Sequence, residues 1–426
     1  MNVKTQEFFP DGTPIDGWFF DVSIPSIESL GKTYVITDYG VCDDGKIYTK
    51  QIQGLIDDVA ERGGGVIVVP KGTYYTGALF FRQGVHLRVE KDGVLKGSDD
   101  ISDYPVCQTR IEGESCLYYP ALINADGIDG FVMCGEGKID GNGLRFWKAF
   151  WQRREWNPAC TNKDEQRPRL VFISNCKNVI VTQLRLHNSP FWTNHIYKSK
   201  RVKFIGCHIF APKTPVPAPS SDAIDVDACQ DVLIKNCYME VNDDAVALKG
   251  GKGPWADENP DNGANERILI EGCHYGFCHS ALTCGSESVH NKNIFIRNIK
   301  LEKIAQVAHF KLRPDTPQLY EYITIENVNG SVLGSVFNIN PWTQFFDLKG
   351  RTDKPLSRVE NICMQNCSCS CGMFFNVSRK DEEYTLKKFT LKNLRFQAVD
   401  TENFYSAVDE LVLDNVIVEG EKYEVD

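Results

Sequence analysis

One short pattern recurs along this chain and limits what it can fold into. Apolar positions alternate with polar ones, an Asn or Gly step follows, and then comes Cys, Ile, Val or Leu. It reads Arg201-Val202-Lys203-Phe204-Ile205-Gly206-Cys207, then Asp231-Val232-Leu233-Ile234-Lys235-Asn236-Cys237, then Arg267-Ile268-Leu269-Ile270-Glu271-Gly272-Cys273. Further copies run through Asn293–Ile299, Tyr322–Val328, Phe389–Leu394 and Leu411–Val416, with an earlier one around Val179 and Val181 and a looser one ending at Cys367. The spacing between copies, roughly from the low twenties to the high thirties of residues, is that of one supersecondary unit stacked on its neighbours. Each copy holds period-2 runs rich in β-branched residues, with no helical stripe between them, and so reads as a coil of a parallel β-helix. The recurring Asn suits a turn, because it tolerates left-handed backbone and its amide bonds nearby main chain. Equivalent Asn side chains then stack as a ladder. One helix is predicted with conviction, from Thr49 to Arg62 before Gly63-Gly64-Gly65, placed to cap the open end of the core. Residues 1–32 are expected as an N-terminal extension packed on the solenoid, and 33–426 as the β-helix itself.

The 426 residues carry a net charge of −10, a field that repels polyanions, so nucleic acid and anionic membrane are excluded as partners. An anionic ligand must therefore be captured by a local basic cluster. No 18-residue apolar stretch occurs and no signal-like apolar run follows Met1, so the expected location is the cytoplasm. The alternative is an exported protein whose leader has been removed. The 16 cysteines are then reduced and buried. Cys363, Cys367, Cys369 and Cys371 read either as a thiolate metal cluster or as an interior stack of small apolar groups. Their Cys-x-Cys-x-Cys spacing lacks paired knuckles and favours the stack.

Two insertions break the period. Residues 144–166 carry Phe146, Trp147, Phe150, Trp151 and Trp156 among Arg145, Lys148, Arg153 and Arg154, and 250–266 are Gly-, Pro- and Asn-rich around Trp255. Such segments are either a sugar platform with anion-binding groups or a packed cap.

The densest acidic cluster is Ser220-Ser221-Asp222-Ala223-Ile224-Asp225-Val226-Asp227, followed by Asn242-Asp243-Asp244. Asp222 and Asp243 are 21 residues apart, about one coil, which sets them on adjacent rungs of one face about 4.8 Å apart. His279 and His309 come about one coil further each, and His309, Lys311 and Arg313 alternate to one side. Paired carboxylates are what glycoside hydrolysis needs, one protonating the leaving oxygen and the other activating water or attacking carbon. Crowding is expected to raise one carboxyl pKa of the three, making a usable acid. Turn-forming Asp strings and a calcium site are the alternatives on spacing alone. Adjacent Asp243 and Asp244 serve together only at a bend.

Ser221-Asp222, Asn242-Asp243-Asp244, Cys278-His279-Ser280 and His309-Phe310-Lys311 resemble, in order, the Asn-Thr-Asp, Gly-Asp-Asp, Gly-His-Gly and Arg-Ile-Lys blocks of glycoside hydrolase family 28, the polygalacturonases. Gly63–Tyr74, Gly97–Asp100, Ile139–Gly143 and Asn188–Trp192 look like bacterial members, and the similarity covers about residues 33 to 330. The resemblance implies an all-β fold, a single-stranded right-handed parallel β-helix of pectin-lyase-like type, that hydrolyses α-linked galacturonic acid with inversion. It implies Asp243 as general acid, Asp222 and Asp244 as the groups that hold and deprotonate water, and His279 as the residue tuning the acid. Lys311 would bind a substrate carboxylate, with His309, Arg313 and Lys249 counted in the same substrate-binding set. Neither a metal nor an organic cofactor is implied. Inversion predicts a carboxyl separation of about 6.5–9.5 Å.

Three departures from the pattern matter. Ser220-Ser221 replaces Asn-Thr, Cys278 and Ser280 replace glycines, and His309 replaces Arg. The last removes a bidentate fork for a uronate unless Arg313 or an arginine of the 144–166 insertion supplies it. A cytoplasmic enzyme meets imported pectic oligosaccharides, and an insertion beside the cleft blocks one end, which favours exo-acting release. The alternatives are cleavage next to rhamnose in rhamnogalacturonan fragments, a calcium-dependent pectate-lyase-like β-helix, and a non-catalytic polysaccharide-binding β-helix.

Overall fold

The structure is a computed structural model that describes residues 6–344, 346–353, 355–377, 382–400 and 407–423. The chain divides into two compact units, one of residues 24–226 with 236–246, the other of residues 1–23, 227–235 and 247–426.

In the first unit, every coil contributes short strands to stacked parallel ladders. One ladder runs through Gly65–Val69, Val85–Val89, Val132–Cys134, Lys177–Thr182 and Lys200–Ile205. Another runs through Gly72–Thr76, Gly93–Gly97, Lys138–Asp140, Arg185–His187, His208–Phe210 and Tyr238–Glu240. A third joins Leu79–Phe80, Ile123–Asp126, Val171–Ser174 and Asn194–Tyr197. Alternation sends Val179 and Val181, then Val202 and Phe204 one coil on, into a fully buried core. Helix α1 (Thr49–Glu61) lays Ile52, Leu55, Ile56 and Val59 against it, close to the predicted bounds. The helix ends in three left-handed glycines; a Cβ at Gly64 would meet the Gly84 carbonyl oxygen at 2.5 Å.

Two elements here depart from expectation. Residues 144–156 form a helix, α2 (Leu144–Trp156), whose Phe146, Trp147 and Phe150 are buried. Those aromatics recur at helical spacing, but the cationic residues among them hide the apolar stripe. Cys107–Ile111 and Glu114–Tyr118 form an antiparallel hairpin. Its two-residue turn places Glu112 at φ 48° and Gly113 at φ 74°, the geometry of a tight hairpin turn.

In the second unit the strands lengthen and bend around the corners of the coil. Gln230–Lys235, Ala264–Glu271, His290–Ile304, Leu319–Pro341, Ser357–Val377, Tyr384–Asp400 and Val412–Val418 pair in parallel succession. Like stacks on like: Ile323 on Ile362 on Phe389, and Ile325 on Met364 on Leu391. The recurring Asn occupies left-handed backbone at Asn298, Asn327, Asn366, Asn393 and Asn415. Their amides form the ladder, Asn327 to Asn298 at 3.1 Å, Asn393 to Asn366 at 3.2 Å and Asn415 to Asn393 at 2.9 Å. Cys367, Cys369 and Cys371 are buried free thiols, and burial pushes the first two up to about 12, so they remain protonated. Near the start of the chain, Phe9, Ile15 and Phe19 pack on Leu233, Leu269 and Phe295.

Candidate active site

The first unit holds three aspartates together. Asp222 ends a Pro-rich stretch just before strand Ile224–Asp227, and Asp243 and Asp244 lie in a bend before Val246. Main-chain bonds set the rungs: Thr193 N donates to Asp222 O (2.8 Å), Ala223 N to Asp244 O (3.0 Å) and Ile224 N to Ala245 O (3.0 Å). Within the bend, Asp244 N donates to Asp243 Oδ1 at 3.0 Å. One carboxylate oxygen from each of Asp222, Asp243 and Asp244 lies within 4.8 Å of the others. Asp222 and Asp244 are 3% and 1% exposed, while Asp243 is half-buried. This spacing corrects the expected separation of about 6.5–9.5 Å. That distance describes two carboxyls on opposite sides of a sugar ring, whereas here three share one edge of the coil.

The face of the sheet one rung before Asp222 is covered. Arg110 of the hairpin lies 4.9 Å over the Tyr197 ring, and Arg169 donates to Arg110 O (2.9 Å) and Thr109 Oγ1 (2.6 Å). The other face of Arg169 meets Phe172 at 4.0 Å, and its Nη1 lies 2.6 Å from His195 Nδ1. Ile111 and Tyr118 close the cover against Phe191 and Trp192. Beside it, Arg145, Tyr119, Phe146 and Lys163 line a cleft of about 420 Å³ together with Asp99 and Asp100. Arg153 of the same helix is held by Glu165 at 2.5 Å.

The second unit carries the other candidates. His309 and Lys311 alternate along strand Gln306–Leu312 and both meet Trp342, the His309 ring edge-on at 6.1 Å and Lys311 Nζ at 4.8 Å from the ring centre. Asn338 and Asn340 sit opposite them on the next coil, and Asn376 Nδ2 donates to Asn338 Oδ1 at 2.9 Å one coil beyond. Trp342 and these asparagines carry no motif and were invisible to the spacing argument. Lys249 is buried, with Nζ 3.5 Å from Glu287 Oε2. Burial raises the Glu287 pKa, but Lys249, Lys252 and Arg313 outweigh it and hold the carboxyl below its usual range. Arg313 is 3% exposed, and its fork is taken by Asp315 with two bonds of 2.8 Å. Of the two replacements weighed for the family arginine, Arg313 thus has its guanidinium on a buried carboxylate two residues away. His279 is exposed, its ring edge-on to Phe277 at 6.1 Å. Arg351 stacks on the half-exposed Trp255 of the second insertion at 4.7 Å.

Comparison with known proteins places this geometry. The sequence profile of Glycosyl hydrolases family 28 matches residues 68–330, well over half of the chain. A probable polygalacturonase of Vitis vinifera is 29% identical over 226 residues, 51% of this chain and 44% of that protein. An exopolygalacturonase of Platanus acerifolia is 24% identical, over 53% of this chain and 55% of that protein. The chain thus spans about half the length of the curated relatives it matches. Among solved structures, an exopolygalacturonase from Thermotoga maritima superimposes with a TM-score of 0.78 at 21% identity, covering 94% of each chain. A polygalacturonase from Erwinia carotovora gives 0.67 at 19% identity, covering 88% of this chain and 94% of that one, and these likenesses carry the fold. Four ordered motif blocks, the profile match and the stacked parallel ladders agree: the chain belongs to Glycosyl hydrolases family 28 and is built as a right-handed parallel β-helix with an N-terminal capping helix.

Proposed function

We propose that this chain is an inverting glycoside hydrolase that removes α-linked galacturonic acid from pectic oligosaccharides in exo fashion. The observation that carries the hydrolase reading is the grouping of Asp222, Asp243 and Asp244 within 4.8 Å, whereas inversion rests on the likeness to family 28 and not on this spacing. Carboxyls grouped on one edge of the coil are the groups that glycoside hydrolysis needs, one to hand a proton to the leaving oxygen and one to take a proton from water. Asp243, the most exposed of the three, gives its proton to the glycosidic oxygen as the C–O bond breaks. Asp222 and Asp244 take a proton from the water that attacks the anomeric carbon. His279 tunes the acid, and Lys311, steadied on Trp342, draws a uronate carboxylate.

Exo action is supported by the covered sheet face next to Asp222, where Arg110 of the hairpin lies over Tyr197 and Arg169 over Phe172. It is also supported by the likeness to the exopolygalacturonases of Platanus acerifolia and Thermotoga maritima. Sixteen free cysteines favour a reducing compartment, in which the substrate is an imported oligosaccharide rather than wall pectin. One observation favours a second reading. With Arg313 committed to Asp315 and His309 in the family's arginine position, one subsite lacks a fork for a carboxylate and suits a neutral sugar, as in rhamnogalacturonan fragments.

The test is product analysis on a panel of galacturonan and rhamnogalacturonan oligosaccharides, with and without chelator, with NMR of the newly formed anomer. Monogalacturonate released first as the β-anomer supports the proposal. An unsaturated, ultraviolet-absorbing product that disappears in chelator would replace it with elimination.

A further inference from the structure

Two of the three carboxylates stand outside regular strands, since Asp222 follows the irregular stretch 211–221, with its carbonyl bonded to Thr193 N, and Asp243 lies in a bend. Asn242 Nδ2 donates to Pro212 O at 2.7 Å, as does Ala218 N at 3.3 Å, and a second set of contacts comes from the α2 insertion and from Arg167 just after it. Arg167 is fully buried, its guanidinium between the rings of Phe150 at 4.3 Å and Phe191 at 4.7 Å. It donates to Pro190 O (2.8 Å), Glu165 O (3.0 Å), Asn162 Oδ1 (2.9 Å) and Pro219 O (3.3 Å). Asn162 Oδ1 also accepts from Ser220 Oγ at 3.3 Å, and Trp151 of α2 donates Nε1 to Pro217 O at 2.8 Å. From there the restraint passes on: Ser221 Oγ donates to Ala218 O (3.3 Å) and accepts from Asn242 N (3.0 Å), the residue before Asp243. Pro217, Pro219 and Ser220 are thus gripped from one side, and Ser221 ties the two acid-bearing segments together.

We propose that Arg167 is a positioning residue which, with Trp151, Asn162 and Ser220, clamps residues 217–221 to the α2 insertion and so sets the spacing of Asp222 from Asp243 and Asp244. The inference rests on the hydrolase reading of that triad and extends it. The clamp acts through shape, because the acceptors of the Arg167 guanidinium are three main-chain carbonyls and a side-chain amide. A lysine keeps the charge but donates from a single nitrogen in place of a planar fork that meets four acceptors, and it cannot fill the aromatic slot.

The experiment compares wild type, Arg167→Lys, Trp151→Phe and Ser220→Ala for kcat, KM and pH–rate profile, with Val59→Ala in α1 as a control that loses Tm far from the triad. Arg167→Lys is expected to lower kcat about 10- to 100-fold, the cost of a displacement near 1 Å at a reacting group, with KM within about twofold and the acidic limb of the profile moved. Trp151→Phe and Ser220→Ala are expected to lower kcat about two- to tenfold with little change in Tm. Wild-type kcat in Arg167→Lys, or a loss no larger than Val59→Ala gives at equal Tm, overturns the clamp. Should Arg167→Lys not fold, wild-type kcat in both milder variants overturns it. A wild type that hydrolyses no pectic oligosaccharide defeats the functional reading instead. The clamp is then judged from a crystal structure of Arg167→Lys: a triad spread by about 0.5 Å or more supports it, and an unmoved triad overturns it.

Discussion

Replacing Asp243 by Asn keeps its size and removes the proton it is proposed to deliver. We expect kcat to fall by about 10³-fold or more while binding of an oligogalacturonide, read by calorimetry, persists. Wild-type turnover would assign the acid elsewhere. Lys311→Ala is expected to raise KM for galacturonides more than it lowers kcat, and an equal effect on a neutral-sugar substrate would count against a carboxylate contact. Arg313 illustrates a residue whose part the sequence concealed. The strand that carries His309 and Lys311 ends at Leu312, and Asp315, two residues on, takes the Arg313 fork; a pair so close in sequence gives no sign of which partner wins. Arg313→Ala leaves Asp315 buried without its partner and is expected to cost about 3–5 kcal/mol in denaturant unfolding. Burial raises the pKa of Asp315, and the Arg313 fork outweighs it, holding the carboxyl below its usual range as Glu287 is held. A depressed folded pKa stabilises the fold above the unfolded value. The two groups therefore support the fold fully above about pH 5, and the support drains away as pH falls below about 4. In Arg313→Ala that acid-side slope should flatten.

Elements were legible where their period was pure. The coils and α1 follow from period 2 and period 3.6 because each presents one apolar face to a common interior. Ile56→Ala in α1 opens a cavity under the cap and is expected to cost about 2–5 kcal/mol with kcat unchanged at low temperature. A fall in kcat without a fall in stability would mean that α1 reaches the chemistry. The hairpin and α2 escaped because both pack through arginines as well as apolar groups. Arg110, Arg167 and Arg169 are almost fully buried over aromatic rings, so the residues that pin these insertions read as surface charge in a sequence. The Glu112-Gly113 turn was the one local signal available for the hairpin.

At the scale of the molecule, the thiols report on its integrity. Cys42 is exposed, whereas Cys207, Cys237, Cys273, Cys367 and Cys369 are buried. Brief alkylation under native conditions followed by mass spectrometry should label Cys42 and spare those five, and denaturant should expose all of them together. Labelling of Cys367 or Cys369 in the native protein would contradict the packed interior. The fold class and the grouping of the acids followed from a repeat in the sequence, because a solenoid converts spacing along the chain into distance across rungs. The carboxyl separation did not follow, because it depends on a bend and on an irregular stretch that the repeat leaves unspecified.

Asp11 N reaches Asn293 Oδ1 at 3.2 Å across 282 positions, and Phe9, Ile15 and Phe19 rest on Leu233, Leu269 and Phe295. During synthesis these first aromatics leave the ribosome long before the surface that receives them exists. At about 5–20 residues per second they wait for tens of seconds, and contacts so distant along the chain are also slow to close. This segment therefore docks only once the coils through Phe295 have formed, and until then its greasy side is a target for chaperones or for another nascent chain.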